Sequence, residues 1–224
     1  MTDQKNKFMK LLLTSGGITN ETLKKAFSEM APKPLAECSL AFILTAANIE
    51  EDKSWMEEDI ENFKKSGVKE VMMVDIEKMK KEQWFSLLES SNIICVGGGN
   101  TYHLLNWVRK SGLADKLKEL LKTRLYVGIS AGSIIPGPDI SFNGDLFPEE
   151  EKGDLVDLSG LNYVSFVVAP HYLSPHFSDT KDENILELSK KLDHPIYAID
   201  DDTAIVVEDG KTKVISEGKW KKYN

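Results

Sequence analysis

The chain has 224 residues, of which 36 are acidic and 28 basic, giving a formal charge of -8, and 41% are hydrophobic. Residues 1–224 therefore read as one globular domain with enough apolar material for a full core, which argues against disorder and against dependence on disulfide staples. The negative charge and the lack of a basic stripe argue against a nucleic-acid partner.

Residues 1–10 are polar and lysine-rich, and the apolar run behind them, Leu11 to Leu13, is too short for a signal peptide or a membrane span, so a cytoplasmic location and no membrane partner are expected. Lys10-Leu-Leu-Leu-Thr-Ser-Gly-Gly17 predicts a buried strand entering a glycine turn. A helix over 20–30 follows, with Leu23, Ala26, Phe27 and Met30 on one face, stopped by Pro32 and Pro34. Strands are predicted at 40–46, 68–75, 92–96 and 125–129, separated by helices over 53–66, 80–90, 102–110 and 113–123. Cys38 and Cys95 lie at or inside such strands, far from any Cys-x-x-Cys spacing, and read as reduced core residues. Residues 136–160 form a long loop rich in proline, glycine and acids. A strand over 163–169 ends at Pro170-His171, and a helix over about 182–192 follows. Short strands at 196–199, 204–207 and 213–216 complete the pattern, the last two joined by Glu208-Asp209-Gly210 as a hairpin. The alternation is that of an α/β three-layer sandwich, a mostly parallel sheet with helices on both faces and a C-terminal β-hairpin, whose ligands belong at the carboxyl ends of the strands.

Gly128-Ile129-Ser130-Ala131-Gly132 matches G-x-S-x-G between an apolar strand and a run of small residues, the setting of a nucleophile elbow. Its other reading is a strand-to-helix turn with a serine cap. Gly97-Gly98-Gly99-Asn100-Thr101 ends the neighbouring strand, where backbone N–H groups can face the same point; it lacks the spacing and lysine of nucleotide-binding loops. A serine nucleophile needs a base. His171 follows a predicted strand directly, whereas His176 lies farther into a loop, His103 sits one turn into a helix and His194 precedes Pro195 in a connecting turn. The carboxylate that would orient the histidine is left open: Asp201, in the strand-end run Asp200-Asp201-Asp202, ranks ahead of Asp145, with Asp139 in the same loop as Asp145. His171, His176 and the nearby acids lack helical H-E-x-x-H spacing, and triad chemistry already accounts for them, so no metal and no cofactor are expected.

Taken together, Gly97-Gly98-Gly99-Asn100-Thr101, Gly128-Ile129-Ser130-Ala131-Gly132, Pro170-His171-Tyr172 and Asp200-Asp201-Asp202-Thr203-Ala204 resemble the peptidase E family, which includes aspartyl dipeptidases and cyanophycinases. The resemblance runs from about residue 10 to 218 and implies a class I glutamine amidotransferase-like, flavodoxin-like fold, with Ser130 as nucleophile, His171 as base and oxyanion donors at Gly98 and Ala131. It implies a serine-type peptidase acting on small peptides. The cyanophycinase-like pattern maps the acid onto Asp201, where that pattern has glutamate, and the dipeptidase pattern maps it onto Asp145. Members that cut after an N-terminal aspartate carry arginine in the helix after the histidine. Here Thr180-Lys181-Asp182-Glu183-Asn184-Ile185 offers Lys181 as a point charge instead. Two rivals stand beside this reading. An α/β-hydrolase esterase would place its histidine after the acid, yet no histidine follows His194, and a catalytically silent small-ligand-binding domain would keep the fold without the chemistry. An exposed apolar edge would permit a homodimer.

Overall fold

The structure, a computed structural model, describes residues 8–224. Residues 1–7, the greater part of the polar, lysine-rich stretch noted above, lie outside them.

Among the described residues ten strands and eight α-helices run in the order β1 (Lys10–Thr14), α1 (Glu21–Met30), β2 (Ser39–Ile43), α2 (Ser54–Lys65), β3 (Glu70–Val74), α3 (Lys81–Ser90), β4 (Ile93–Val96), α4 (Thr101–Lys110), α5 (Leu113–Leu120), β5 (Leu125–Ile129), α6 (Ala131–Ile134), α7 (Asn143–Leu146), β6 (Val167–Ala169), α8 (Asp182–Ser189), β7 (Ile196–Ile199), β8 (Thr203–Glu208), β9 (Lys211–Ser216) and β10 (Trp220–Tyr223). Seven strands form one sheet in the order β3-β2-β4-β5-β1-β8-β9. Its first five are parallel, and β8 and β9 close it as an antiparallel hairpin.

Period-two alternation sorts the strand side chains between two cores. Leu12, Leu40, Phe42, Ile93, Cys95, Leu125, Val127 and Ile129 face Leu23 and Phe27 of α1 and Phe63 of α2. Their neighbours Leu11, Leu13, Ala41, Ile43, Ile94, Val96 and Tyr126 face a larger core with Trp84 and Leu88 of α3, Leu104, Leu105 and Val108 of α4, and Leu117 of α5. Strands buried on both faces are the reason their sequences read as continuous apolar runs. Both cysteines are buried and unbridged.

A second sheet, in the order β10-β7-β6, packs its Val167, Val168, Ile196, Ala198 and Tyr223 into the larger core. The expected strand over 163–169 is cut to its last three residues, because the N–H groups of Tyr163 and Val164 bond to the Pro136 carbonyl instead of a neighbouring strand. The expected strand over 40–46 ends at Ile43, where Thr45–Ile49 winds into a 3₁₀ turn whose Ala46 carbonyl accepts from the Asn100 N–H at 3.0 Å. Within the expected loop 136–160 lies the short helix α7, and Asp139 bridges to Ser159. No helix among the described residues is long and apolar enough to cross a membrane.

Candidate active site

The site is built where the carboxyl ends of the two sheets meet. Strands β1, β4 and β5 deliver Ser15, Gly98 and Ser130, while the parallel neighbours β6 and β7 deliver His171 and Asp201 side by side. The chain then crosses through Asp200-Asp201-Asp202 from the small sheet to β8, which pairs with β1, and so brings Asp201 to the end of β1.

Ser130 stands at the turn between β5 and α6 with φ 49° and ψ -110°. A side chain at positive φ is strained, and the surroundings fix it there. The Ser130 N–H bonds to the Thr14 carbonyl at 3.1 Å, the Ser133 hydroxyl bonds to that same carbonyl at 2.7 Å, and the Tyr126 hydroxyl bonds to the Gly132 carbonyl at 2.6 Å. Residue 132 must be glycine because a Cβ there would lie 2.0 Å from the Val96 carbonyl oxygen.

His171 also has positive φ, 59°. Its N–H donates to Ser15 Oγ at 2.8 Å, and its carbonyl accepts from the Thr180 hydroxyl at 2.5 Å. Phe177 stacks on the imidazole with ring centres 4.4 Å apart, and Phe147, from the long loop, meets it edge-on at 6.3 Å. The ring thereby lies between two contacts: Nε2 is 2.9 Å from Ser130 Oγ and Nδ1 is 2.8 Å from Asp201 Oδ1. The tautomer that satisfies both has Nδ1–H donating to Asp201 and Nε2 accepting from the serine hydroxyl.

Partial burial pulls the Asp201 carboxyl upward, but the hydrogen bond and charge of His171, the Ser15 hydroxyl and the charge of His176 outweigh it and hold Asp201 below its ordinary value. It is therefore an ionised acceptor at neutral pH. Nearby Asp59, on α2, is only 7% exposed, and burial, then the charges of Glu58 and Asp201, raise it to about 7.

Gly98 faces Ser130, since a Cβ on it would lie 3.2 Å from Ser130 Cβ. No hydrogen bond of the described residues uses the N–H of Gly98 or of Ala131. Those two donors flank the serine.

Of the acids weighed above, Asp201 is the one that reaches His171. Asp145 sits on α7 in an ion pair with Lys191 at 3.3 Å, and Asp139 accepts from Ser141. His176 is exposed, His103 pairs with Glu77 at 2.9 Å, and His194 lines a separate cavity of about 280 Å³ bounded by Asn162, Phe166 and the β8–β9 turn. Lys181 is exposed at the start of α8. Among the described residues no group of three or more histidine, cysteine, aspartate or glutamate side chains is placed to hold a metal. Sequence reasoning missed Ser15, although the signal was present: Thr14-Ser15-Gly16-Gly17 ends a central strand where ligands gather.

The sequence pattern described as Peptidase family S51 matches residues 11–215. An uncharacterized peptidase of Pasteurella multocida is 30% identical over 178 residues, covering 79% of this chain and 84% of that protein. Peptidase E of a Nostoc species is 27% identical over 209 residues, covering 79% and 85%. The crystal structure of a candidate peptidase E from Listeria monocytogenes superposes with a TM-score of 0.79 at 25% identity, covering 94% of this chain and 99% of that one. With the family pattern spanning nearly its whole length, the chain belongs to Peptidase family S51 and is a serine peptidase.

Proposed function

We propose that the protein hydrolyses amide bonds of small peptides through an acyl-enzyme on Ser130, with His171 as base and Asp201 as the acid that orients it. The observation that carries this reading is the continuous chain of contacts from Ser130 Oγ through both ring nitrogens of His171 to Asp201 Oδ1, at 2.9 and 2.8 Å.

In the forward step Ser130 Oγ attacks the peptide carbonyl while its proton passes to His171 Nε2. Asp201 accepts from Nδ1–H throughout and stabilises the imidazolium, while the N–H groups of Gly98 and Ala131 receive the negative oxygen. The C–N bond breaks as His171 returns the proton to the leaving amine. Water then attacks the ester with His171 again as base, releasing the acid and restoring Ser130. Removal of one oxyanion donor in such sites costs about 3–4 kcal/mol of transition-state stabilisation.

N-terminal aspartyl peptides belong in the first substrate panel, because Lys181 sits ten residues past His171 in sequence and stands exposed where a carboxylate could meet it as a point charge. The test is steady-state hydrolysis of a panel of small peptides, with N-terminal aspartate, other N-terminal residues and β-linked aspartate, by wild type, Asp201→Asn and Asp145→Asn. The triad reading expects Asp201→Asn to lose kcat by roughly 10³- to 10⁴-fold, with Asp145→Asn close to wild type. The opposite ranking would move the acid to the loop, and no hydrolysis of any peptide by wild type would favour a silent binding domain.

A further inference from the structure

We propose that Ser15 is a positioning residue of the catalytic apparatus, tying the acid and the base to the strand that carries the nucleophile's frame. The proposal rests on the triad reading above. Ser15 is fully buried and follows β1 at the point where β1 pairs in register with β5, Thr14 opposite Ile129, so that Ser15 and Ser130 leave adjacent strands together. The Thr14 carbonyl holds the Ser130 N–H, and the next residue along, Ser15, reaches the other two members.

The hydroxyl of Ser15 is committed twice. It donates to Asp201 Oδ1 at 2.5 Å and accepts the His171 N–H at 2.8 Å. Having one proton, it spends it on Asp201, so its 3.2 Å approach to His171 Nδ1 is a contact that leaves Nδ1–H to the carboxylate. Two needs meet here. The Asp201 side chain is 48% exposed, and a carboxylate half in water turns among its rotamers unless a second donor fixes it. His171 holds a left-handed backbone that a side chain enters only when its surroundings compel it, and the bond from its N–H is one of the restraints. Gly16 completes the fit, because a Cβ on it would lie 2.9 Å from Asp201 Cβ and would push the acid away.

The plain alternative is that Ser15 merely satisfies a buried strand end. The two differ in what its removal does to the reaction. The experiment compares wild type, Ser15→Ala, Ser15→Thr, Asp201→Asn and the Ser15→Ala/Asp201→Asn double variant on the best peptide of the panel, with rates normalised to the concentration of folded protein. Folding is checked by thermal melting, and the assay temperature is set below the lowest midpoint. The proposal expects Ser15→Ala to lower kcat by roughly tenfold with KM within about twofold, because a small misplacement of the base costs rate more than binding. It expects Ser15→Thr, which keeps the hydroxyl, to recover most of the loss. It also expects the double variant to lose less than the product of the two single losses, because residues acting as one unit are non-additive. The downfield proton resonance of His171 Nδ1–H should be sharp in wild type and broadened or moved in Ser15→Ala.

Wild-type kcat and an unchanged resonance in Ser15→Ala, with Asp201→Asn impaired, would overturn the positioning role and leave the triad standing. So would additive losses in the double variant. Wild-type kcat in Asp201→Asn would remove the triad reading itself, and the positioning role with it.

Discussion

Ser130 and His171 each spend about 1–3 kcal/mol of backbone strain to face one another, and both are held by bonds to the end of β1. A second tension at this scale is electrostatic. Asp59 rises from its ordinary value of 3.8 to about 7 through burial and then the neighbouring charges of Glu58 and Asp201. Glu150 rises from 4.5 to about 7 through burial, only partly offset by hydrogen bonds from Thr101 and Asn143. Between pH 4 and 7 the folded protein keeps protons that the unfolded chain has released, so stability falls as pH rises through that window and levels off above it. For Asp59 the change corresponds to at most about 4 kcal/mol. Denaturant unfolding at pH 5, 6, 7 and 8 should show this decline in wild type. Asp59→Asn should be flatter and more stable than wild type at pH 8; an unchanged slope would count against a charged, buried Asp59. That Ser130 and His171 stand at strand ends was legible in the sequence because each ends an apolar run. The sequence ranked Asp201 ahead of Asp145 but could not show a contact with His171, because that contact depends on which strand end faces β1; in the structure Asp201 meets His171 and Asp145 pairs with Lys191.

Among the elements, the β5–α6 elbow and the glycine loop after β4 differ in what their glycines protect. A Cβ on residue 132 would collide with the Val96 carbonyl at 2.0 Å, whereas one on residue 98 would press on Ser130 Cβ at 3.2 Å. Gly132→Ala is therefore expected to be insoluble or to melt many degrees lower. Gly98→Ala should fold with a modest loss of midpoint but lose roughly tenfold or more in kcat, because the crowding falls on Ser130, the proposed nucleophile, and on the N–H that would meet the oxyanion. Thermal melts and kcat for the two variants separate these outcomes, and equal effects on both properties would contradict the distinction. Most elements were legible because β1, β2, β4 and β5 are buried on both faces and their helices carry one apolar face each. Strand β10 was not, since three of the four residues in Trp220–Tyr223 are exposed and nothing in so short a polar piece announces a strand.

For the molecule as a whole, the site depends on two sheets holding their ends together. Strand β10 pairs with β7, and its Tyr223 hydroxyl reaches Asp182 at 2.5 Å, joined there by Lys221 and by the hydroxyl of Tyr172, the residue after His171. The bonds from Lys221, Tyr223 and Tyr172 hold the Asp182 carboxyl well below its ordinary range. A chain ending at Gly218 should lose several degrees of thermal midpoint and lose kcat with it, because the His171 segment is anchored through that carboxylate. A truncated protein with full kcat would show that the small sheet positions His171 without β10. The α/β layering and the hairpin could be read from alternation and from Asp209-Gly210, but the separation of β6, β7 and β10 into their own sheet could not. Their pairing is set by contacts far apart in the chain, and the sequence of each piece fits either sheet.

The most direct measurement is fluorophosphonate labelling followed by intact mass and peptide mapping, on wild type, Ser130→Ala and His171→Ala. An activated serine predicts one adduct in wild type, mapped to the peptide containing Ser130, absent in Ser130→Ala and strongly slowed in His171→Ala. Wild type that stays unlabelled while a generic serine hydrolase reacts beside it, or an adduct that persists in Ser130→Ala, would contradict it.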